Sequence, residues 1–170
     1  MGRAEYAGSV FALRRVAPDD ARAFLDLLGD PELAAWLRPA GESGPFDLVE
    51  CEAIVAQKVA HWTAHGFGTR LASEDGRCIG WSLIGHCLLS GHSEVEIGWV
   101  VARDRWGQGI GTELGRQALA AAGSLGLRRV VAFTRHDNLA SRRVMDKLGM
   151  RYEVDFQHAG LPHVLYSCSI

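Results

Sequence analysis

The stretch that most constrains this chain is Glu96-Ile-Gly-Trp99-Val100-Val101-Ala-Arg-Asp-Arg105-Trp106-Gly107-Gln108-Gly109-Ile110-Gly111-Thr112-Glu113. An apolar strand pattern runs into alternate glycines, Gly107, Gly109 and Gly111, and these lead straight into an amphipathic helix pattern. Physically this is an anion site. Small residues let backbone N–H groups turn toward a ligand, and a helix start adds unpaired donors and partial positive charge. A phosphate or diphosphate is the natural guest. The dinucleotide-binding fingerprint needs a third glycine where Thr112 stands, and a P-loop needs a lysine that Gly111-Thr112 lacks. On its own the triplet also fits a tight turn that packs a helix closely, and the residues leave both readings open.

The remaining pattern reads as one α+β domain over residues 1–170, with a mixed, mostly antiparallel sheet of six to seven strands and about four helices. Residues 10–16 form a first strand, and Pro18 and Asp19 open a helix over Ala21–Leu28. Gly29-Asp30-Pro31 stops it, 32–37 resumes as a short helical piece, and the Gly/Pro/Ser-rich 38–45 reads as a mobile loop. Asp47 starts a long helix with Leu48, Cys51, Ile54 or Val55, Val59 and Trp62 on one apolar stripe. Strands follow at 67–72, 78–89 and 94–101, the first two joined by a turn at Glu74-Asp75-Gly76-Arg77. The helix at about 109–124 presents Ile110, Leu114, Ala118, Ala121 and Leu125 inward. Residues 129–134 are a strand, 138–148 a helix closed by Gly149, and 152–157 and 163–169 the last strands.

Composition narrows the function classes. A net charge of −2 gives no global basic field to attract nucleic acid or an anionic membrane surface, so neither is an expected partner. Cys51, Cys78, Cys87 and Cys168 are scattered without a C-x-x-C pair, which argues against a zinc site or a disulfide framework and for reduced thiols. No metal is expected. Residues 1–10 lack the apolar run of a signal peptide, no stretch is as long as a membrane span, and a cytoplasmic location is the expectation.

Two motifs together resemble the GNAT superfamily of acetyltransferases, and within it the branch that acetylates the N-terminal amines of ribosomal proteins and related small amines. One motif is the Glu96–Glu113 stretch; the other is Asn138-Leu-Ala-Ser141-Arg142-Arg-Val-Met-Asp-Lys-Leu-Gly-Met150, with a strand between them. Trp106 departs from the Gln or Arg usual in the family at that position, and the same replacement is familiar in the ribosomal-protein branch. The resemblance implies acetyl-CoA as co-substrate, its diphosphate held by main-chain N–H groups from Trp106 through Gly111 and on to Thr112, with Arg105 and Arg142 as candidate helpers. It implies that the pantetheine arm pairs with the open edge of Trp99, Val100 and Val101 like an added strand, with Asn138 and Ser141 beside it.

Acetyl transfer to an amine needs a base, an oxyanion donor and a tolerable leaving group. Glu96 is the candidate base because it aligns with the family's strand acid. Glu94 shares its face, so mutual repulsion is expected to raise one pKa; a solvated polar strand face is the competing reading. A main-chain N–H near Val100 is the implied oxyanion donor. Many relatives protonate the thiolate with a tyrosine in the last helix; here there is none between Asn138 and Gly149, and Ser141 is the substitute. Asp137 reads as a helix cap rather than half of a dyad with His136. Trp36, Trp62 and Trp81 read as core, and Cys87 lacks partners for nucleophilic catalysis. The acceptor, expected to enter between 38–45 and the last hairpin, is an amine: a protein N-terminus, a polyamine, an aminoglycoside or an amino acid. A homodimer through an exposed sheet edge is a family-based expectation. The rival function is a sensor or assembly module that binds acetyl-CoA and catalyses nothing.

Overall fold

The computed structural model describes residues 11–89 and 91–170, so Val10 and the N-terminal reading lie outside the described residues. Seven strands form a single sheet in the order β1-β2-β3-β4-β5-β7-β6. They are β1 (Ala12–Arg15), β2 (Arg70–Glu74), β3 (Arg77–Leu89), β4 (His92–Val101), β5 (Arg129–Arg135), β6 (Arg151–His158) and β7 (Leu161–Ser169). Every neighbouring pair is antiparallel except β4 and β5. Antiparallel neighbours need only hairpins. A parallel pair needs a crossover, and α4 (Ile110–Ser124) supplies it.

Helices α1 (Ala21–Leu28), α2 (Pro31–Ala34) and α3 (Leu48–His65) lie on one face of β1–β4. Phe24, Leu27, Leu28, Cys51, Val55, Leu71 and Trp81 close the core between them. On the opposite face α4 and α5 (Leu139–Lys147) bury Leu114, Ala118, Ala122 and Met145 against Ile84, Ile97, Val130 and Ala132. The inner stripe of α4 is thus Leu114, Ala118 and Ala122, spaced by four, while Leu125 stays 44% exposed at the C-cap, contrary to expectation. Gly115 lets α4 close onto the sheet: a Cβ there would lie 2.4 Å from Leu148 Cδ1 and 3.2 Å from the Trp99 ring.

Local chemistry explains the boundaries. Asp47 caps α3 by accepting from the Glu50 N–H at 2.9 Å while Glu50 accepts from the Asp47 N–H at 2.8 Å, a reciprocal capping box. Asp75 and Gly76 both take positive φ in the β2–β3 hairpin, as a right-twisted two-residue turn requires. The strand read at 67–72 begins only at Arg70, where pairing with Arg15 starts. The helical piece after Pro31 is one turn, capped by Asp30. Trp36 is not core: it is half-buried, with the Arg135 guanidinium 4.9 Å from its ring centroid. The four thiols are free; Cys51 is buried and the other three are half-buried.

The segment expected to be mobile, 38–45, is clasped. Arg38 donates to Gly44 O at 3.3 Å and Pro45 O at 2.9 Å, pairs with Glu50 at 2.5 and 2.9 Å, and lies 3.7 Å over the Phe46 ring. Few isolated turns carry that many fixed bonds. Arg38→Ala should free this strap: cleavage by added protease within 38–46 should speed up severalfold and the thermal midpoint should fall by a few degrees. Unchanged protease resistance would show that the clasp is dispensable.

Candidate active site

The β4–β5 boundary organises the site. Ala102 N–H donates to Ile79 O at 2.8 Å, and near the other end of the ladder His86 N–H turns away from β4 to His61 Nε2 at 3.1 Å. Antiparallel bonding alternates. Even-numbered residues of β4 therefore bond to β3, and the main-chain groups of Ile97, Trp99 and Val101 face β5. Yet β4 and β5 share a single register pair among the described residues, Glu96 with Val131. Beyond it the strands part, and the edge at Trp99 and Val101 opens into a cleft. Parity narrows the expectation of a donor near Val100: the Val100 N–H belongs to the ladder with Trp81, and the free amides are those of Trp99 and Val101. The Val101 carbonyl is taken by the Trp106 indole N–H at 2.8 Å. An added strand is thus left the Trp99 groups and the Val101 N–H.

At the end of this edge stands the glycine loop. Gly107 and Gly109 have φ of 76° and 81°, values that cost other L-residues roughly 1–2 kcal/mol. Gly111 serves differently: a Cβ there would touch the Trp99, Val144 and Val101 side chains at 3.4–3.7 Å, so it sets the approach of α4 to β4 and α5. Helix α4 starts at Ile110 without a capping side chain, and its first ladder bond is Glu113 N–H to Gly109 O at 3.1 Å. The N–H groups of Ile110, Gly111 and Thr112 precede that bond and have no ladder partner. These residues fit a diphosphate. Gln108 braces the loop by donating to Asp104 O at 3.1 Å.

The side-chain helpers are less available than expected. Arg105 pairs with Glu74, leaving its buried Nε without a partner. Arg142 donates to His136 O at 3.0 Å. Asn138, not Asp137, caps α5: its Oδ1 accepts from Ser141 N–H at 3.1 Å, while Asp137 pairs with Arg135 at 2.9 Å. That leaves the Asn138 amide N–H₂ to donate. Ser141 is half-buried one turn before Val144, whose side chain borders Gly111.

Glu96 and Glu94 share a face of β4, but their environments differ. Glu94 is bound by Arg129 at 3.4 Å, which Glu153 also holds at 2.8 Å. Glu96 has no ion-pair partner among the described residues. Solvent still reaches it in part, yet protein encloses it enough that burial raises its carboxyl to about 7, against a smaller opposing pull from Lys58. The rise is therefore a burial effect, not the expected repulsion by Glu94. Gly98 borders this carboxyl: a Cβ there would make ordinary contact with Glu96 Oε1 at 3.6 Å. Burial, with Glu96 and Glu94 nearby, pushes the Cys87 thiol up to about 11, which keeps it un-ionised at neutral pH and unsuited to nucleophilic work.

On the same face Val131 sits opposite Glu96, and Phe133 lies one pleat further along β5 toward the opening. Its ring meets His158 at 4.8 Å and Phe156 at 5.8 Å. The acceptor path expected between 38–45 and the last hairpin is closed where they touch: Ala40 N–H donates to Ala159 O at 2.9 Å. Arg135 also donates to Ala35 O at 3.0 Å. The strap and hairpin are one continuous wall of the cleft.

Sequence reading missed Lys58. It sits seven residues after Cys51 and four before Trp62, on the inward stripe of α3, and its Nζ lies 5.7 Å from the Trp81 centroid. A lysine inside an apolar helical stripe was the available signal. No group of His, Cys, Asp or Glu side chains among the described residues is arranged to hold a metal ion. No helix there is long and apolar enough to cross a membrane.

The Glu96 environment has a measurable consequence. Its folded-state value near 7 exceeds the unfolded value of about 4.3, so the folded chain holds the extra proton between these limits. Stability from this group is present below pH 4 and lost as pH rises through 7. Thermal scans between pH 5 and 8 should show Glu96→Gln losing less stability with rising pH than the parent; equal slopes would disprove the buried-carboxyl assignment.

A family model, the acetyltransferase (GNAT) domain, matches residues 11–151. The fold is similar to that of the acetyltransferase from Agrobacterium tumefaciens, with 24% identity, TM-score 0.73 and coverage of 98% of this chain and 99% of that one. It is likewise similar to the GNAT-family acetyltransferase from Bacillus anthracis, with 21% identity, TM-score 0.74 and coverage of 95% of each chain. The ribosomal-protein-S5-alanine acetyltransferase from Vibrio fischeri shares it too, with 17% identity, TM-score 0.75 and coverage of 96% and 95%. With the glycine loop, the parted strands and the family match in agreement, the chain belongs to the GNAT acetyltransferases and is an acetyl-CoA-dependent acyltransferase.

Proposed function

We propose that this acyltransferase moves the acetyl group of acetyl-CoA onto a primary amine, a peptide N-terminus or a small-molecule amine, by direct attack with Glu96 as base. The observation that carries this reading is the Glu96 carboxyl: enclosed, unpaired, raised to about 7 and placed where β4 leaves β5. The Vibrio fischeri relative, named for acetylating a ribosomal-protein alanine, supports the peptide end of the acceptor range.

Acetyl-CoA supplies an acetyl group activated as a thioester. The Ile110, Gly111 and Thr112 amides hold its diphosphate, and the free main-chain groups of Trp99 and Val101 take the pantetheine arm. An acceptor amine attacks only when neutral, so Glu96 receives its proton as the N–C bond forms; a base with a value near the working pH does this best. An inward-facing main-chain N–H of β4 donates to the carbonyl oxygen as negative charge develops there. The C–S bond then breaks. Ser141 is the hydroxyl available to protonate the departing thiolate, although a thiol of pKa about 8.5 leaves tolerably without help.

Incubation with acetyl-CoA and a panel of amines, followed by free-thiol release, tests the reading. Release above the no-amine control is expected, with kcat/KM rising through pH 7 as Glu96 ionises. Glu96→Gln should reduce kcat by about 10²–10⁴-fold while acetyl-CoA still binds, and Ser141→Ala should cost less than that. A Glu96→Gln enzyme at full rate would remove this residue from the mechanism.

A further inference from the structure

Lys58 is a physical anomaly that the reaction above leaves unused. It lies among Cys51, Val55 and Trp62 on the core-facing side of α3, where a charge is costly unless something pairs with it. Nothing does: Lys58 has no hydrogen bond or ion pair among the described residues, and its Nζ lies 5.7 Å from the Trp81 ring centroid. Three arginines around this face are committed. Arg38 holds Glu50 and Glu42, Arg129 holds Glu94 and Glu153, and Arg135 holds Asp137. Burial lowers the Lys58 ammonium from its ordinary value, and the charge on Glu96 works against that shift. Geometry brings the two groups to one place: Lys58 lies one turn before His61, whose Nε2 accepts from His86 N–H at 3.1 Å, and His86 follows Gly85, the register partner of Glu96. Both are partly reachable by solvent, and neither has an ion-pair partner among the described residues.

A cleft with a carboxylate base at one point and an unspent ammonium nearby is complementary to a molecule with the opposite arrangement. We infer that Lys58 is an acceptor-binding residue, and that the acceptor is a small zwitterion of the α-amino-acid type, its amine at Glu96 and its carboxylate on Lys58. This deepens the N-acetyltransferase reading and rests on it. Of the acceptors that reading allows, a polyamine or aminoglycoside would bring further positive charge toward Lys58. A peptide N-terminus offers a neutral amide where the carboxylate would be, and leaves the lysine unpaired. The amino acid satisfies both groups. Phe133, with Phe156 and His158 packed on it, stands beyond Val131 on the same face and gives its side chain an apolar, aromatic wall.

The test uses the intact protein and matched acceptors: phenylalanine, phenylalaninamide and phenethylamine, with methionine and its decarboxylated amine as a second series. All offer a primary amine, and only the free acids carry the carboxylate. Thiol release should favour each acid over its carboxylate-free partner in kcat/KM by about ten- to a hundredfold, the scale of one charge-assisted hydrogen bond. Lys58→Met should collapse that ratio to near one, and Lys58→Arg should restore part of it. Removing Lys58 also alters Glu96, but this acts on every amine alike, so the ratio isolates the carboxylate contact. Unchanged melting and acetyl-CoA titration of Lys58→Met confirm an intact fold; if it fails to fold, Lys58→Gln and Lys58→Arg carry the comparison. Parent enzyme that acetylates the amide or decarboxylated amine as well as the acid overturns the inference while leaving the N-acetyltransferase reading standing, as does a ratio that survives in Lys58→Met. No thiol release with any amine, from protein that binds acetyl-CoA, overturns both.

Discussion

The structure turns on the single register pair that joins β4 to β5. Six strand junctions hold this sheet together, and the one parallel junction is held at Glu96 and Val131 alone. Elsewhere long ladders make the sheet rigid, notably the ten-pair ladder of β3 and β4. Parallel pairing forces the chain through a helix before it returns, so the N-terminus of α4 must start close to where β4 ends. The place of the glycine loop therefore follows from the topology, and the open strand edge leads directly to it. Trp99 locks the geometry, because its ring fills the space left beside Gly111 and Gly115 and fixes α4 against the strand whose backbone faces the cleft.

Most of this frame was legible in the sequence for physical reasons. The α1 boundaries, the Asp75-Gly76 turn and the start of α3 at Asp47 are set by local chemistry: proline and glycine punctuation, positive φ and a reciprocal cap. The glycine loop was legible because Gly107 and Gly109 must adopt a backbone that other residues avoid. Glu96 was a candidate from its alignment with the family's strand acid; its raised value comes from burial and not from the expected repulsion by Glu94. Neighbouring charge can be read from spacing along a strand. Burial by α3 and by the β4–β5 junction cannot.

What escaped was set by partners distant in sequence. Whether Val100 or Trp99 presents its amide to the cleft depends on hydrogen-bond parity against β3, fixed by register and invisible in β4 alone. The strap at 38–45 has the composition of a loose loop, and its order comes from Arg38 reaching Glu50. Glu50 itself belongs to a cap that was readable, but nothing local shows that it also holds the strap. The touch of Ala40 on Ala159, which ties the strap to the last hairpin, joins segments more than a hundred residues apart.

Local and global preferences agree through most of the chain, and the disagreements gather in one place. A helix stripe built for a core admits Lys58, and a strand face beneath it admits Glu96 without a counter-ion within bonding distance. Folding alone would favour leucine and glutamine at such positions, because burying either charge opposes stability. Sequences that fold cleanly satisfy every local rule except where a site demands otherwise. Joining the two charges in a direct ion pair would relieve the cost, and would also pull the carboxyl down and remove its ability to take a proton near neutral pH. Holding them apart spares Glu96 that depression and leaves Lys58 without a direct counter-ion, so the empty protein carries the cost of both, and the acceptor we propose relieves it by bridging them. Destabilisation of that kind, confined to a cleft between parted strands, converts the cost of burial into affinity for the molecule that ends it.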